Sequence, residues 1–137
     1  MSKIAVVYWS GTGNTEAMAN AVLEGAINAG NDAAIFTADQ FSDTQVVEYD
    51  AIAFGCPAMG AEELEDGEFE PMFAECELSG KRIGLFGSYG WGDGQWMRDW
   101  EARCRRMGAD LVSEGVIAND APGDAETAAC KALGAAL

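Results

Sequence analysis

The sequence predicts a doubly wound α/β fold, with five parallel strands in the order 2-1-3-4-5 and helices on both faces. Three observations lead there. Apolar runs recur at Ile4 to Tyr8, Ala33 to Phe36, Ala51 to Phe54, Ile83 to Phe86 and Val116 to Ala118, and short runs without polar alternation suit strands buried on both faces. Candidate helices lie between and after them, at Glu16 to Asn28, about Gly67 to Cys76, Gly94 to Met107 and Asp124 to Ala136. Strands alternating with helices imply a parallel sheet, and right-handed crossovers between five strands favour this order over the six-stranded dinucleotide fold.

Taken in chain order, the first strand feeds Ser10, Gly11, Thr12, Gly13, Asn14 and Thr15, and the first helix follows directly. Unpaired amides and the positive end of the helix dipole gather at such a junction, so it binds anions readily. Gly11 and Gly13 let the backbone approach a ligand, while the hydroxyls of Ser10, Thr12 and Thr15 and the amide of Asn14 add donors. An ordinary capped loop uses the same residue types. Glu16 stands where G-x-G-x-x-G needs its third glycine, and the P-loop lysine is absent. The eight basic residues are Lys3, Lys81, Arg82, Arg98, Arg103, Arg105, Arg106 and Lys131. None lies between Ile4 and Gly80, so a terminal monophosphate fits this loop better than a triphosphate.

Further along, Ala17, Ala21 and Gly25 share a row of the first helix, and Trp96, Trp100 and Cys104 share a row of the helix after the fourth strand, where both tryptophans are expected in the core. Asp39 to Tyr49 reads as a loop or a short helical turn. The ligand crevice of such a fold lies beyond the carboxyl ends of the strands, which singles out the loops after Tyr8, Phe54, Phe86 and Ala118.

Composition narrows the function. With 137 residues, 49% of them apolar, the chain is expected to form one domain over residues 1–137, without staples. The start of the sequence reads as neither signal peptide nor membrane span, which points to the cytoplasm. There is no histidine, and Cys56, Cys76, Cys104 and Cys130 form no C-x-x-C pair; a zinc site, a thioredoxin-like dithiol and Ser-His-Asp or Cys-His catalysis are all disfavoured. A net charge of −15 opposes nucleic acid and anionic membrane and favours basic protein surfaces.

After the third strand come Cys56, Pro57, Ala58, Met59, Gly60, Ala61, Glu62 and Glu63; after the fourth come Gly87, Ser88, Tyr89, Gly90, Trp91, Gly92, Asp93 and Gly94. The second loop sets two aromatics among four glycines, outside any core-facing period, and Trp91 there offers a flat surface for a planar ring. With the Ser10 to Thr15 loop, these segments resemble the phosphate loop and the two ring-binding loops of the flavodoxins. The resemblance covers the chain from Lys3 to the final helix. Met59 together with Trp91 is similar to the flavodoxins of anaerobic fermentative bacteria, and the lack of an insertion in the last strand marks the short-chain group.

The resemblance implies a one-electron carrier, not an enzyme, that binds flavin mononucleotide (FMN) and cycles mainly between neutral semiquinone and hydroquinone. Its partners would be redox proteins with basic docking surfaces: reductases, oxidoreductases and hydrogenase-type enzymes. It would act as a monomer. Trp91 would stack on one face of the ring and Met59 on the other, with Glu62 accepting from ring N3. Trp9 and Ser10 to Thr15 would take the phosphate end. Ala58, Gly60, Tyr89, Gly90 and Gly92 would line the ribityl chain and ring edge, beside Ala61 and Gly87. Relatives turn a carbonyl at the position of Gly60 toward flavin N5, which glycine keeps inexpensive. If the turn in the semiquinone state is type II across Met59 to Glu62, Ala61 takes positive φ there at a cost of roughly 1–2 kcal/mol, and Ala61→Gly should stabilise the semiquinone.

Pro57 departs from relatives that carry a hydroxyl there, shifting phosphate binding toward Ser88, and Asn119 is a further candidate at the ribityl or phosphate end. The acids Glu62, Glu63, Glu65, Asp66, Glu68 and Glu70 are expected to resist a second electron by charge repulsion, although most would also suit a solvated helix face. Other readings are an NAD(P)H-dependent quinone reductase, which usually needs longer insertions, and a phosphoacceptor receiver domain, which needs acids where Trp9, Ser10, Gly55 and Cys56 stand.

Overall fold

In the computed structural model, which describes residues 2–137, the expected alternation is present; Met1, the first residue of the expected domain, lies outside the described residues. The elements run β1 (Lys3–Tyr8), α1 (Asn14–Asn28), β2 (Asp32–Thr37), a 3-10 turn (Ala38–Gln40), α2 (Asp43–Val46), β3 (Ala51–Gly55), α3 (Phe69–Glu75), β4 (Arg82–Tyr89), α4 (Gln95–Arg106), β5 (Asp110–Leu111), β6 (Val116–Asn119) and α5 (Asp124–Ala136). All pairings are parallel, and the order is β2-β1-β3-β4-β5, with β6 also on β4.

The last position of the sheet is therefore one strand in two pieces. Asp110 lies opposite Arg82 but Val116 lies opposite Phe86, so the register shifts by two residues between the pieces. An even shift keeps the same side chains on the same face. The bulge is held from outside: the Gly115 amide donates to Glu101 at 2.7 Å. Only residues 112–115 separate the two pieces, a bulge and not an inserted loop.

Because both faces are covered, β1 is apolar throughout and its residues divide between two cores. Ile4, Val6 and Tyr8 pack with Met18, Val22 and Leu133 under α1 and α5, while Ala5 and Val7 pack with Phe69, Phe73 and Trp100 under α3 and α4. Trp96, Trp100 and Cys104 are buried as expected, and so are Ala21 and Gly25; Ala17 is exposed, because the seam of α1 runs instead through Thr15, Met18, Ala19 and Val22. The Asp39 to Tyr49 stretch contains two short helical segments, each started by a capping box, Thr37 with Gln40 and Ser42 with Gln45.

Trp100 is packed edge-on to Phe69 and Phe73, yet its Nε1 has no hydrogen-bond partner among the described residues. A buried unsatisfied donor costs about 1–3 kcal/mol, which offsets much of the packing lost on removing the indole ring. Trp100→Phe should therefore change unfolding free energy by less than about 1.5 kcal/mol, against about 3–5 for a truncation to alanine. A urea titration showing a Phe variant as damaged as the Ala variant would contradict this.

The four cysteines are free and buried. Burial pushes all four thiols up to about 12, which leaves them protonated and unreactive at neutral pH.

Candidate functional site

Strand order places the ends of β1, β3 and β4 side by side, and the three loops that leave them meet around Trp9. The Trp9 amide donates to the Gly55 carbonyl at 3.0 Å, joining the first loop to the second. Depressions of about 200, 300 and 490 Å3 open around it, and Trp9 lines each of them. No lysine or arginine lines any of the three.

The first loop is organised by Ser10, whose Oγ accepts from the Gly13 amide at 3.0 Å and the Glu16 amide at 3.3 Å. Thr12 Oγ1 accepts from Asn14 at 3.4 Å. Gly13 has φ 96°, a left-handed conformation that glycine takes without strain. The amides of Gly11, Thr12 and Thr15 make no hydrogen bond among the described residues, so the N-terminus of α1 has donors to spare.

Thr15 and Ser88 connect this loop to β4. Both are buried, their hydroxyls are 2.9 Å apart, and the Ser88 amide donates to Thr15 Oγ1 at 3.3 Å. The mutual bond uses one of the two hydroxyl hydrogens and leaves the other free to donate. Across the crevice, Ala58 donates to the Ser88 carbonyl at 3.0 Å, fixing the segment after Pro57. Gly87 does not face the crevice: a Cβ there would sit 2.1 Å from the Cys56 carbonyl oxygen, so its missing side chain lets β3 and β4 close on each other.

The two segments after β3 and β4 carry the exposed large side chains Met59 (40% exposed) and Trp91 (62%). Met59 and Glu63 exchange backbone hydrogen bonds of 2.8 and 2.9 Å as an antiparallel bridge, closing a three-residue turn. In this conformation the positive φ angles in it belong to Gly60 (53°) and Glu62 (57°) and not to Ala61; the expectation for Ala61→Gly concerns the turn adopted in the semiquinone, a different conformation. At Glu62 the side chain compensates: Oε1 accepts from the Asp93 amide at 3.2 Å, and the missing Cβ of Gly92 leaves it room. Glu62 thus ties the two ring-loop candidates together. Asp93 is in turn paired with Arg98 of α4 at 3.0 Å.

Other acids in the run have structural partners. Glu70 forms a two-pronged pair with Arg103, at 2.6 and 2.7 Å. Glu65 accepts from the amides of Gly67, Glu68 and Phe69 at 2.7 to 2.8 Å, organising the entry to α3. Burial alone would raise the Glu65 carboxyl, yet the amides of Phe69, Glu68 and Gly67 outweigh it and hold the pKa below its ordinary 4.5. A depressed folded-state pKa contributes stability that is fully present above the unfolded value and is lost as pH falls through the folded one. The wild-type advantage over Glu65→Gln should be full at pH 7 and vanish at a pH low enough to protonate the carboxyl in the folded state. Equal urea midpoints at both pH values would count against the cap.

Of the residues singled out after β6, Asn119 turns its amide to the Tyr89 carbonyl at 3.4 Å, while the neighbouring Asp120 lines the crevice instead. Sequence reasoning missed Asp120. Its position at the carboxyl end of the last strand was the signal available.

Surplus neutral donors without a cation suit a monophosphate, and an exposed methionine and tryptophan on adjoining loops suit a flat ring. The residues present therefore fit a flavin mononucleotide. Comparison with known proteins gives the same direction: the family model described as Flavodoxin matches residues 6–133. The chain is 45% identical to the flavodoxin of Megasphaera elsdenii over 135 residues, covering 97% of this chain and 96% of that protein. It is also 45% identical to the flavodoxin of Clostridium beijerinckii over 123 residues, covering 88% and 89%. The solution structure of two-electron reduced Megasphaera elsdenii flavodoxin superposes with a TM-score of 0.89 at 46% identity, covering 97% of this chain and 96% of that one.

Proposed function

The chain belongs to the flavodoxin family, whose members bind FMN and transfer electrons, and from that premise we propose a single-domain, low-potential carrier that cycles mainly between neutral semiquinone and hydroquinone. The observation that carries this reading is the meeting of three loops around Trp9, cation-free and rich in unused donors. FMN, when bound, supplies a ring that accepts and releases electrons one at a time.

The residues divide the remaining work. The amides of Gly11, Thr12 and Thr15, with the Thr15 and Ser88 hydroxyls, hold the phosphate; Asn14 and Pro57 border it. Trp91 and Met59 would cover the two ring faces and exclude water. Glu62, with one oxygen on the Asp93 amide, would offer the other to ring N3, and the Gly60 carbonyl would accept from N5 when that atom carries a proton. Ala58, Tyr89 and Gly90 line the chain between ring and phosphate.

Charge sets the potential. Glu63, Asp66 and Glu68 are exposed close to the Met59 turn, and at an effective dielectric near 20 each unit charge about 8 Å away opposes an added electron by roughly 2 kcal/mol. Glu65 caps the entry to α3, and Glu70 is paired with Arg103, which cancels much of its effect on the ring. The same surface suits redox partners with basic docking faces, namely reductases, oxidoreductases or hydrogenase-type enzymes. Among the described residues no helix is long and apolar enough to cross a membrane; the cytoplasmic, monomeric state we infer rests on the resemblance to the flavodoxins.

The test is stopped-flow mixing of the oxidised FMN-loaded protein. A low-potential one-electron donor should reduce it rapidly, whereas NADH and NADPH alone should reduce it only very slowly. Fast reduction by either pyridine nucleotide would favour the quinone-reductase reading.

A further inference from the structure

A further pocket of about 300 Å3 lies between the segment after β3 and helix α4. Glu63, Leu64 and Asp66 line both this pocket and one of the depressions around Trp9, but neither Trp9, Met59 nor Trp91 lines it. Its other wall is one face of α4, where Trp96, Asp99, Trp100, Arg103 and Arg106 recur at helical spacings of three and four. Some of its charged groups are already engaged: Glu70 is paired with Arg103, and Asp99 accepts from Gln95 at 2.8 Å. The carboxylates of Glu63 and Asp66 and the guanidinium of Arg106 have no partner among the described residues. Neither has the Nε1 donor of Trp100, a side chain only 2% exposed.

Each unpaired group specifies its complement. Two carboxylates call for cations, whereas a guanidinium and a buried N–H call for an anionic acceptor. No group of acids among the described residues could hold a metal ion, so the cations sought are organic. The volume is at the small end for ligand pockets and suits a molecule of amino-acid size. We propose that this pocket binds a free basic amino acid, arginine or lysine. The ligand carboxylate accepts from Trp100 Nε1 and pairs with Arg106, its two cations take Glu63 and Asp66, and its apolar stem lies against Leu64 and Trp96. Five carboxylates face two guanidiniums around the pocket, which favours a ligand of net positive charge over a neutral amino acid. The inference stands apart from the FMN reading, since none of the residues given these roles is assigned a contact with the flavin.

The test is isothermal titration calorimetry of the FMN-loaded protein with three probes: arginine, agmatine, which lacks the carboxylate, and citrulline, in which a neutral urea group replaces the guanidinium. Arginine should bind saturably at one site, and each analogue roughly tenfold more weakly for the lost charge-assisted bond. Trp100→Phe removes the donor and keeps a ring in place. It should weaken arginine by roughly the same factor and leave agmatine unchanged. Asp66→Asn, at an exposed position where the fold is not at risk, should weaken arginine and agmatine together. Agmatine binding as tightly as arginine would show the acids merely attracting cations. Unaltered arginine binding in Trp100→Phe or in Asp66→Asn would show that the pocket is not the site. Any of these results, or no saturable binding of arginine, overturns the proposal.

Discussion

Gly134→Ala should cost about 3 kcal/mol of unfolding free energy, at the upper end of what overpacking usually costs. A Cβ on Gly134 would sit 2.0 Å from the Val22 carbonyl oxygen, and one on Gly25 would sit 2.0 Å from the Lys131 carbonyl oxygen. Both obstacles are backbone, so no side chain can rotate aside and α5 must move off α1. Alanine's better helix propensity returns only about 1 kcal/mol. Against a total stability of roughly 5–15 kcal/mol, such a loss should lower the urea midpoint by a large fraction. A midpoint within experimental error of wild type would show that α1 and α5 are not packed this closely.

Thr15→Val should weaken FMN binding by about tenfold to hundredfold, through loss of a donor to a charged group. Valine keeps the shape but leaves the buried Ser88 hydroxyl and amide without the partner they have at 2.9 and 3.3 Å. The unsatisfied Ser88 groups should also lower stability by about 1–3 kcal/mol. The two effects separate by ligand: riboflavin, which lacks the phosphate, should bind the variant and the wild type alike. Parallel losses for FMN and riboflavin would place Thr15 away from the phosphate.

Much of the fold was legible because β1, β3 and β4 are buried on both faces, and that forces runs such as Ile4 to Tyr8 to be apolar without interruption. The split last strand was not, since Asp110–Leu111 is too short to show a pattern and pairs only with the first residues of β4. The loops of the site were legible as motifs, because glycine, hydroxyl and aromatic residues gather where strands end. Their internal hydrogen bonds were not. That Ser10 organises its own loop, that Glu62 bridges to Asp93, and that positive φ falls on Glu62 rather than Ala61 depend on the Met59–Glu63 bridge and on contacts far apart in sequence. The acid run shows the same limit: apart from Glu62, which the resemblance singled out, its carboxylates looked equivalent, and only packing distinguishes the Glu65 cap and the Glu70–Arg103 pair from the exposed Glu63, Asp66 and Glu68.

The most direct test is an anaerobic reductive titration of the FMN-loaded protein followed by absorbance and electron paramagnetic resonance. Two separated one-electron steps are predicted, with a blue neutral radical accumulating before the second and the second at low potential. A single two-electron step with no detectable radical would contradict the proposal of a one-electron carrier tuned by these loops.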